Sequence, residues 1–269
     1  MTILQTLVFA IIQGISELFP ISSVAHGVLT PYVFHWNLDP QFLKENFLPY
    51  VVMLHLGTAV ALFIYFWKDW FEIIKSIFTG SKKLLLLVIV ATLPAAAIGI
   101  VLEKPLRNIF SNVTSASIFL IINGFFLFFG ERARFKGNKE IEDLNGKQAL
   151  IIGLFQSLAL IPGFSRSGSS MTAGFWMGLK QEASARFSMI LATPIILGAV
   201  IVEVPKLLKS HAGNLMQMSL LGGLASGIFA FISVWILMNW FKTKEINAMR
   251  PFAYYCWGVG IIVLVSQLF

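Results

Sequence analysis

Charge is what this sequence has least of. Of its 269 residues, 12% are Asp, Glu, Lys or Arg and 57% are hydrophobic, and the mean hydropathy is +0.79. A soluble domain carries about 25% charged residues, so the shortage excludes an ordinary water-soluble globule and points to an all-α polytopic membrane protein. Cysteine is nearly missing as well. The single Cys256 excludes a disulfide framework and a cysteine-based metal cluster, and reads as packing. Residues 1–43 hold no Lys or Arg; a cleavable signal peptide needs a basic first segment, so the N-terminus is expected to stay in the fold. No P-loop or dinucleotide fingerprint is present, which removes the usual nucleotide cradles. The net charge of +7 sits in short loops between apolar runs, where it reads as a topology signal facing an anionic leaflet and not as a nucleic-acid surface.

What is there is apolar length. Runs near 47–67, 84–102, 113–130, 184–203, 217–240 and 251–268 approach the roughly 20 residues needed to cross a bilayer. Two other stretches break the pattern. The first is apolar to Ile12, then carries Gln13, Glu17, Ser22, Ser23 and His26 around Pro20 before a second apolar piece reaches Pro31. The second, 148–180, is apolar to Ile161 and then turns through Pro162, Gly163, Ser165, Arg166, Ser167 and Ser170. An ionisable residue at membrane depth costs about 2.5–3.5 kcal/mol on insertion scales, which makes it a functional-site hypothesis. Each stretch reads as a re-entrant hairpin, since non-helical backbone at that depth requires a protein or water lining. Residues 28–46, with Asp39, Pro40, Lys44 and Glu45, read as a mostly polar connection. Residues 131–147 read as a charged surface loop, with Glu131, Arg132 and Arg134 a solvated helix end. Trp67 and Trp70 mark an interface.

Loop charges test the hairpins. If every apolar stretch crossed, Lys and Arg would divide eight against eleven; if 148–180 dips in and returns, they divide fourteen against five, with Arg166 inside. The positive-inside rule selects the second arrangement. It puts loops 68–83, 131–147, 174–186 and 241–250 in the cytoplasm, and, with the first hairpin re-entrant too, both termini outside. The chain is then one membrane domain of two inverted repeats, each a re-entrant hairpin plus three transmembrane helices. The repeats are 1–143 with hairpin 1–36, and 148–269 with hairpin 148–180. Gln13 and Gln156, 143 residues apart, each precede a turn serine by nine (Ser22, Ser165), with Pro20 and Pro162 just before. Inverted repeats place their sites near the midplane, at broken helices.

Helical spacing puts Gln13 with Glu17 and Ser22 with His26, with Ser23 three residues before His26. One hairpin can therefore aim a carboxylate, hydroxyls and an imidazole into one cavity. The other offers Arg166, whose guanidinium forks onto phosphate oxygens, flanked by Ser165, Ser167 and Ser170. A glycine-rich turn entering a helix adds backbone N–H groups. Together these describe phosphate-ester chemistry on a substrate reachable from lipid, with His26 or Ser23 attacking or moving a proton and Glu17 serving as base or metal ligand. His55, in a solid apolar span, reads as a satisfied core histidine; His35 and His211 are loop residues without a role. Gly222, Gly223 and Gly227 suit close helix packing.

Gln13-Gly-Ile-Ser-Glu17-Leu-Phe-Pro-Ile-Ser-Ser-Val-Ala-His26 and Pro162-Gly-Phe-Ser-Arg-Ser-Gly168 resemble the two signatures of the undecaprenyl-diphosphate phosphatase family of the bacitracin-resistance type. Chain length, layout and the Leu56-Gly57-Thr58 after His55 are similar to that family throughout. The resemblance implies a multi-pass enzyme of the bacterial inner (plasma) membrane, with its site open toward the periplasm. It implies removal of the terminal phosphate of a polyprenyl diphosphate lipid, which recycles the carrier for peptidoglycan synthesis and confers bacitracin resistance. A Mg²⁺ or Ca²⁺ ion and a homodimer are also among its implications, and no nucleic acid is. Carried over by position, Glu17, Ser23, His26 and Arg166 form the catalytic set; Gln13, Ser22, Ser165, Ser167 and Ser170 bind substrate; Glu17, with Gln13, is the metal position. Departures are Val24 where Thr or Ser is usual, Ser170 where Thr is usual, and the neutral Gln13. The rival reading is a polyprenyl-phosphate flippase, since transporters share this architecture.

Overall fold

A computed structural model describes residues 1–38, 46–109, 112–132, 137–209, 213–244 and 247–269, without the side chains of 102–109, 206–209 and 213–214. Asp39, Pro40, Lys44, Glu45, Arg134 and His211 lie outside the described residues. Among the described residues, eleven α-helices run in chain order: α1 Ile3–Ser16, α2 Ser23–Val33, α3 Phe47–Tyr65, α4 Trp67–Phe78, α5 Lys83–Ile109, α6 Val113–Arg132, α7 Gly146–Gln156, α8 Arg166–Trp176, α9 Gln181–Lys209, α10 Gly213–Thr243 and α11 Arg250–Ser266. Among the described residues, five helices (α3, α5, α6, α9, α10) are long and apolar enough to cross a membrane. Their outward faces expose Ile64, Leu86, Ile100, Ile201 and Leu224, a girdle that water would penalise at about 25 cal/mol per Å² and lipid would not. The expected sixth span, 251–268, forms the 17-residue α11, about 26 Å long at 1.5 Å per residue.

The two polar stretches fold into two pairs of short helices. Each pair opens with a capping box: Thr2 Oγ1 accepts from the Gln5 N–H while Gln5 Oε1 accepts from the Thr2 N–H, and Asn145 and Gln148 do the same. Both boxes satisfy two orphan amides of a helix start, and they stand 143 residues apart. The second helices match as well. Ser22 caps α2 by accepting from the Ala25 N–H, and Ser165 caps α8 by accepting from the Gly168 N–H, again at an offset of 143. Helices of 11 to 14 residues reach about 16–21 Å, less than the roughly 30 Å of a bilayer core. Their turns meet inside the protein.

Asn123 of α6 joins the turns. Its Nδ2 donates to the Pro20 carbonyl at 3.1 Å, and its Oδ1 accepts from the Ser165 N–H at 3.1 Å. Ser167 Oγ adds a bond to the Phe19 carbonyl at 3.2 Å. Gly163, at φ +115°, needs its missing side chain: a Cβ there would lie 2.3 Å from the Phe119 Cβ. The expected glycine packing is found where α3 meets α10, since a Cβ on Gly57 would stand 1.8 Å from the Gly223 carbonyl oxygen. That close approach fixes α3, and His55 with it.

Four sequence expectations need correction. Residues 28–33 are not a polar connection but the last turns of α2, ending at Val33. Much of loop 68–83 is the amphipathic α4, because apolar residues recur every three or four positions from Trp67 to Phe78. The described part of loop 131–147, from 137 on, is anchored, with Ile141 and Leu144 buried and Lys139 bridged to Leu179. Glu131 is buried rather than solvated: it accepts from Gln181 Nε2 at 3.3 Å and from the Met249 N–H at 3.2 Å, so hydrogen bonds to two other segments hold its charge inside. Arg132 is exposed.

Candidate active site

Glu17 follows α1 by one residue, so its side chain leaves the helix end toward the neighbouring pair's turn. Its carboxylate gathers five contacts. Arg166 donates to Oε1 through Nε and Nη2, both at 3.3 Å. Ser23 Oγ donates to Oε2 at 2.6 Å, His55 Nε2 lies 3.1 Å from Oε2, and Gln13 Nε2 donates to it at 3.3 Å. Ser23 and Arg166 are each the first residue of their helix, at matching places 143 apart. Thus the two pairs deliver a hydroxyl and a guanidinium to the same carboxylate from opposite sides.

His55 is the residue that spacing alone misses. Its Nδ1 lies 2.8 Å from the Val51 carbonyl, which can only accept, while Nε2 faces a carboxylate. Only the doubly protonated ring donates to both. The one signal in the sequence was the Leu56-Gly57-Thr58 that follows it, similar to the family, and nothing local ties His55 to Glu17. Glu17, His55 and Arg166 are 6%, 17% and 9% exposed at the side chain. Two positive groups against one negative one in a dry site leave room for an incoming anion.

All of this opens into a cavity of about 910 Å³. Its polar end is lined by Glu17, Ser23, His55, Gln156, Ser165 and Arg166; its apolar walls include Val24, Val28, Val51, Leu160, Phe164 and Ile195. Val24 thus presents a hydrocarbon wall where a hydroxyl would have faced the site. Arg166 also donates from Nη1 to the Ser188 carbonyl at 3.0 Å. Three of its five N–H groups are so engaged, leaving two to fork onto a ligand oxygen. The first turn of α8 points its positive end the same way.

The other expected site residues divide. Gln13 stands behind Glu17. Ser165 lines the cavity while capping α8 and contacting Ser167 Oγ at 3.0 Å. Ser22, at φ +67°, spends its hydroxyl on the α2 cap. Ser167 is fully buried between the turns. Ser170 donates to the Arg166 carbonyl at 2.8 Å and pairs with Ser188 Oγ at 2.6 Å, behind α8 and off the cavity lining. His26 is not brought to Glu17. Three residues along a helix is a turn of about 300°, which leaves His26 about 60° round α2 from Ser23, facing Tyr255 of α11 and not the cavity. There it lines a separate crevice of about 310 Å³, with Nδ1 2.8 Å from the Ser22 carbonyl and Nε2 2.8 Å from Tyr255 Oη.

The expected divalent cation finds a poor seat. Among the described residues no three of His, Cys, Asp and Glu cluster around one point, and Glu17 is the one acidic side chain lining the cavity. Mg²⁺ demands near-octahedral oxygens and Ca²⁺ six to eight, whereas the roughly four lone-pair sites of this carboxylate are taken by donors. The residues present do not fit a resident cation.

Known sequences match this chain along nearly its whole length. The family described as bacitracin resistance protein BacA matches residues 6–262. An undecaprenyl-diphosphatase 2 of Oenococcus oeni is 57% identical over 269 residues, covering 99% of each chain. One of Chromobacterium violaceum is 45% identical across the whole of both chains, and an undecaprenyl-diphosphatase of Acidiphilium cryptum is 42% identical over 98% of each. With a match across nearly its whole length, the chain belongs to the BacA family of bacitracin resistance proteins.

Proposed function

We propose that this protein hydrolyses undecaprenyl diphosphate to undecaprenyl phosphate and inorganic phosphate. The observation that carries the reading is the meeting of Ser23 and Arg166 on Glu17 at the polar end of an apolar-walled cavity. A diphosphate head needs cationic donors, and a prenyl tail needs hydrocarbon; at about 0.8 kcal/mol per buried CH₂, such a tail does not leave the bilayer to meet a soluble enzyme. The curated relatives carry the matching activity in their names.

In the step we infer, Arg166 holds the terminal phosphoryl oxygens with its two remaining N–H groups and the α8 N-terminus assists. The 3.3 Å contacts between Arg166 and Glu17 are longer than the usual 2.7–2.9 Å of a charge-assisted bond, so the guanidinium can transfer toward phosphate. That transfer leaves Glu17 more basic. Ser23 Oγ then attacks phosphorus as its proton passes to Glu17 Oε2, and the bond to the bridging oxygen breaks, releasing polyprenyl phosphate, which takes that proton from Glu17. Water, deprotonated by the freed Glu17 carboxylate, attacks the Ser23 phosphoester; the Ser23–phosphorus bond breaks, the proton returns from Glu17 to Ser23 Oγ, and phosphate is freed. His55 and Gln13 orient the carboxylate throughout.

The finer architecture belongs to the same proposal: two inverted repeats, each with a re-entrant hairpin, in the bacterial inner membrane with both termini periplasmic. Matched capping boxes and caps at offset 143 support the repeat, and the fourteen-to-five division of basic residues supports the topology. Carrier recycling for peptidoglycan and bacitracin resistance follow from the activity. The test is phosphate release from undecaprenyl diphosphate by detergent-purified protein, wild type against Ser23→Ala, Glu17→Ala and Arg166→Ala. Release by wild type alone is expected. Translocation of intact lipid across vesicles without phosphate release would overturn the hydrolase reading in favour of a flippase.

A further inference from the structure

Most diphosphate chemistry needs something to neutralise and orient both the substrate and the carboxylate beside it. A divalent cation commonly does so by bridging them. Here the carboxylate is already served by side chains. Oε1 receives Arg166 twice, and Oε2 receives Ser23, His55 and Gln13. Gln13 is neutral where a second carboxylate would have made a cation seat, and it turns its amide N–H, not its oxygen, toward Glu17. His55 is held from behind by the Val51 carbonyl, and its helix is locked by the Gly57–Gly223 approach. A cation on Oε2 would have to displace an imidazole that the backbone keeps in place, and it would sit beside the Arg166 charge.

We propose that His55 and Gln13 stand in for a resident divalent cation, holding Glu17 by donated hydrogen bonds, so that hydrolysis proceeds with no divalent ion bound to the protein. This rests on the hydrolase reading and deepens it: His55 is a positioning residue acting through Glu17. The charge count supports the assignment. A cation would raise the positive charge around one carboxylate beyond what His55 and Arg166 supply, in a site where none of the three groups is more than 17% exposed.

The experiment has two arms on the full-length protein in detergent. In the first, phosphate release is measured in EDTA and in millimolar Mg²⁺ or Ca²⁺. In the second, Mn²⁺ alone is titrated into substrate-free protein and followed by electron paramagnetic resonance. The proposal expects wild-type rates within about twofold in EDTA and in Mg²⁺, and no saturable Mn²⁺ site that Glu17→Gln removes. It expects the double variant Gln13→Glu/His55→Gln, which restores a second carboxylate and removes the fixed imidazole, to bind Mn²⁺ and to lose at least tenfold of its release in EDTA, with rescue by Mg²⁺. Release by wild type that vanishes in EDTA and returns with Mg²⁺ overturns the proposal and leaves the hydrolase reading standing. No release under either condition overturns the hydrolase reading; the Mn²⁺ arm then decides the proposal alone, and a Glu17-dependent Mn²⁺ site in wild type overturns it. If the double variant fails to fold, the single His55→Gln variant serves in both arms, and unchanged insensitivity to EDTA together with full activity overturns the role given to His55.

Discussion

His26 and His55 are built alike and used differently. Each places Nδ1 at 2.8 Å from the carbonyl four residues earlier, Ser22 and Val51 respectively. That shared bond fixes both rings against their helices. The difference lies at Nε2, which meets the phenol of Tyr255 in one case and the carboxylate of Glu17 in the other. A phenol can donate, so His26 is satisfied as a neutral ring. A carboxylate cannot, so His55 must donate. One histidine therefore stiffens the turn that carries Ser23, and the other holds the group that Ser23 contacts.

Substitutions can pull this comparison apart, beginning with the group only one histidine touches. Glu17→Gln leaves Arg166 and His55 without their anion while the surroundings of His26 stay unchanged. Phosphate release per folded enzyme is expected to fall about 10³-fold, the scale of losing a transition-state partner. A thermal melt of the same sample should show a loss as well, because removing one partner of a buried ion pair costs about 3–5 kcal/mol. Retained turnover would mean that Ser23 is activated elsewhere.

Next comes His55→Ala, for which a loss of 10- to 100-fold in release is expected, the usual scale for a residue that orients a site ligand. Its melting temperature is expected to hold better than that of Glu17→Gln, since the ring is partly open to the cavity. His26→Ala should reverse that balance. It removes the bond to the Ser22 carbonyl at a residue with φ +67°, so stability is expected to fall by about 1 kcal/mol, with activity following through the misplaced Ser23. Here His26→Asn, which can still donate locally, should recover most of the loss. Activity lost from His26→Ala with an unchanged melt and no rescue by Asn would show that His26 reaches the substrate directly.

The smallest effect is expected from Tyr255→Phe. It keeps the ring stacked on His26, with centroids 5.6 Å apart, and deletes one half-exposed hydrogen bond. Release within about threefold of wild type, measured on the same substrate, is the expected outcome. A large loss would move the chemistry to the α2–α11 crevice.

The fold was legible wherever one-dimensional signals suffice. Length of apolar runs located the five long helices, because a bilayer sets that length. Polarity inside two apolar stretches located both short-helix pairs, and their 143-residue offset was visible from Gln13 and Gln156 before the caps Thr2 and Asn145 extended it. The proposed site residues Glu17, Ser23 and Arg166 were legible for the same reason: their types are costly at that depth. α4 was missed because its apolar face and its charges are interleaved, which a search for continuous runs averages away. Glu131 was missed because a charge at a helix end looks solvated until distant segments, Gln181 and Met249, are seen to enclose it.

Sequence alone therefore determined that this is a helical membrane protein of the BacA type with two polar turns, because solvent imposes composition and periodicity directly on the chain. Only the tertiary structure decided which residues face one another. Whether Ser23 or His26 looks into the cavity depends on about 60° of rotation around α2, set by packing against α1 and α11. Whether His55 belongs to the site depends on how closely α3 approaches its neighbours, set by the glycine contact at Gly57. Such choices arise from contacts between residues far apart in the chain, and no local pattern carries them.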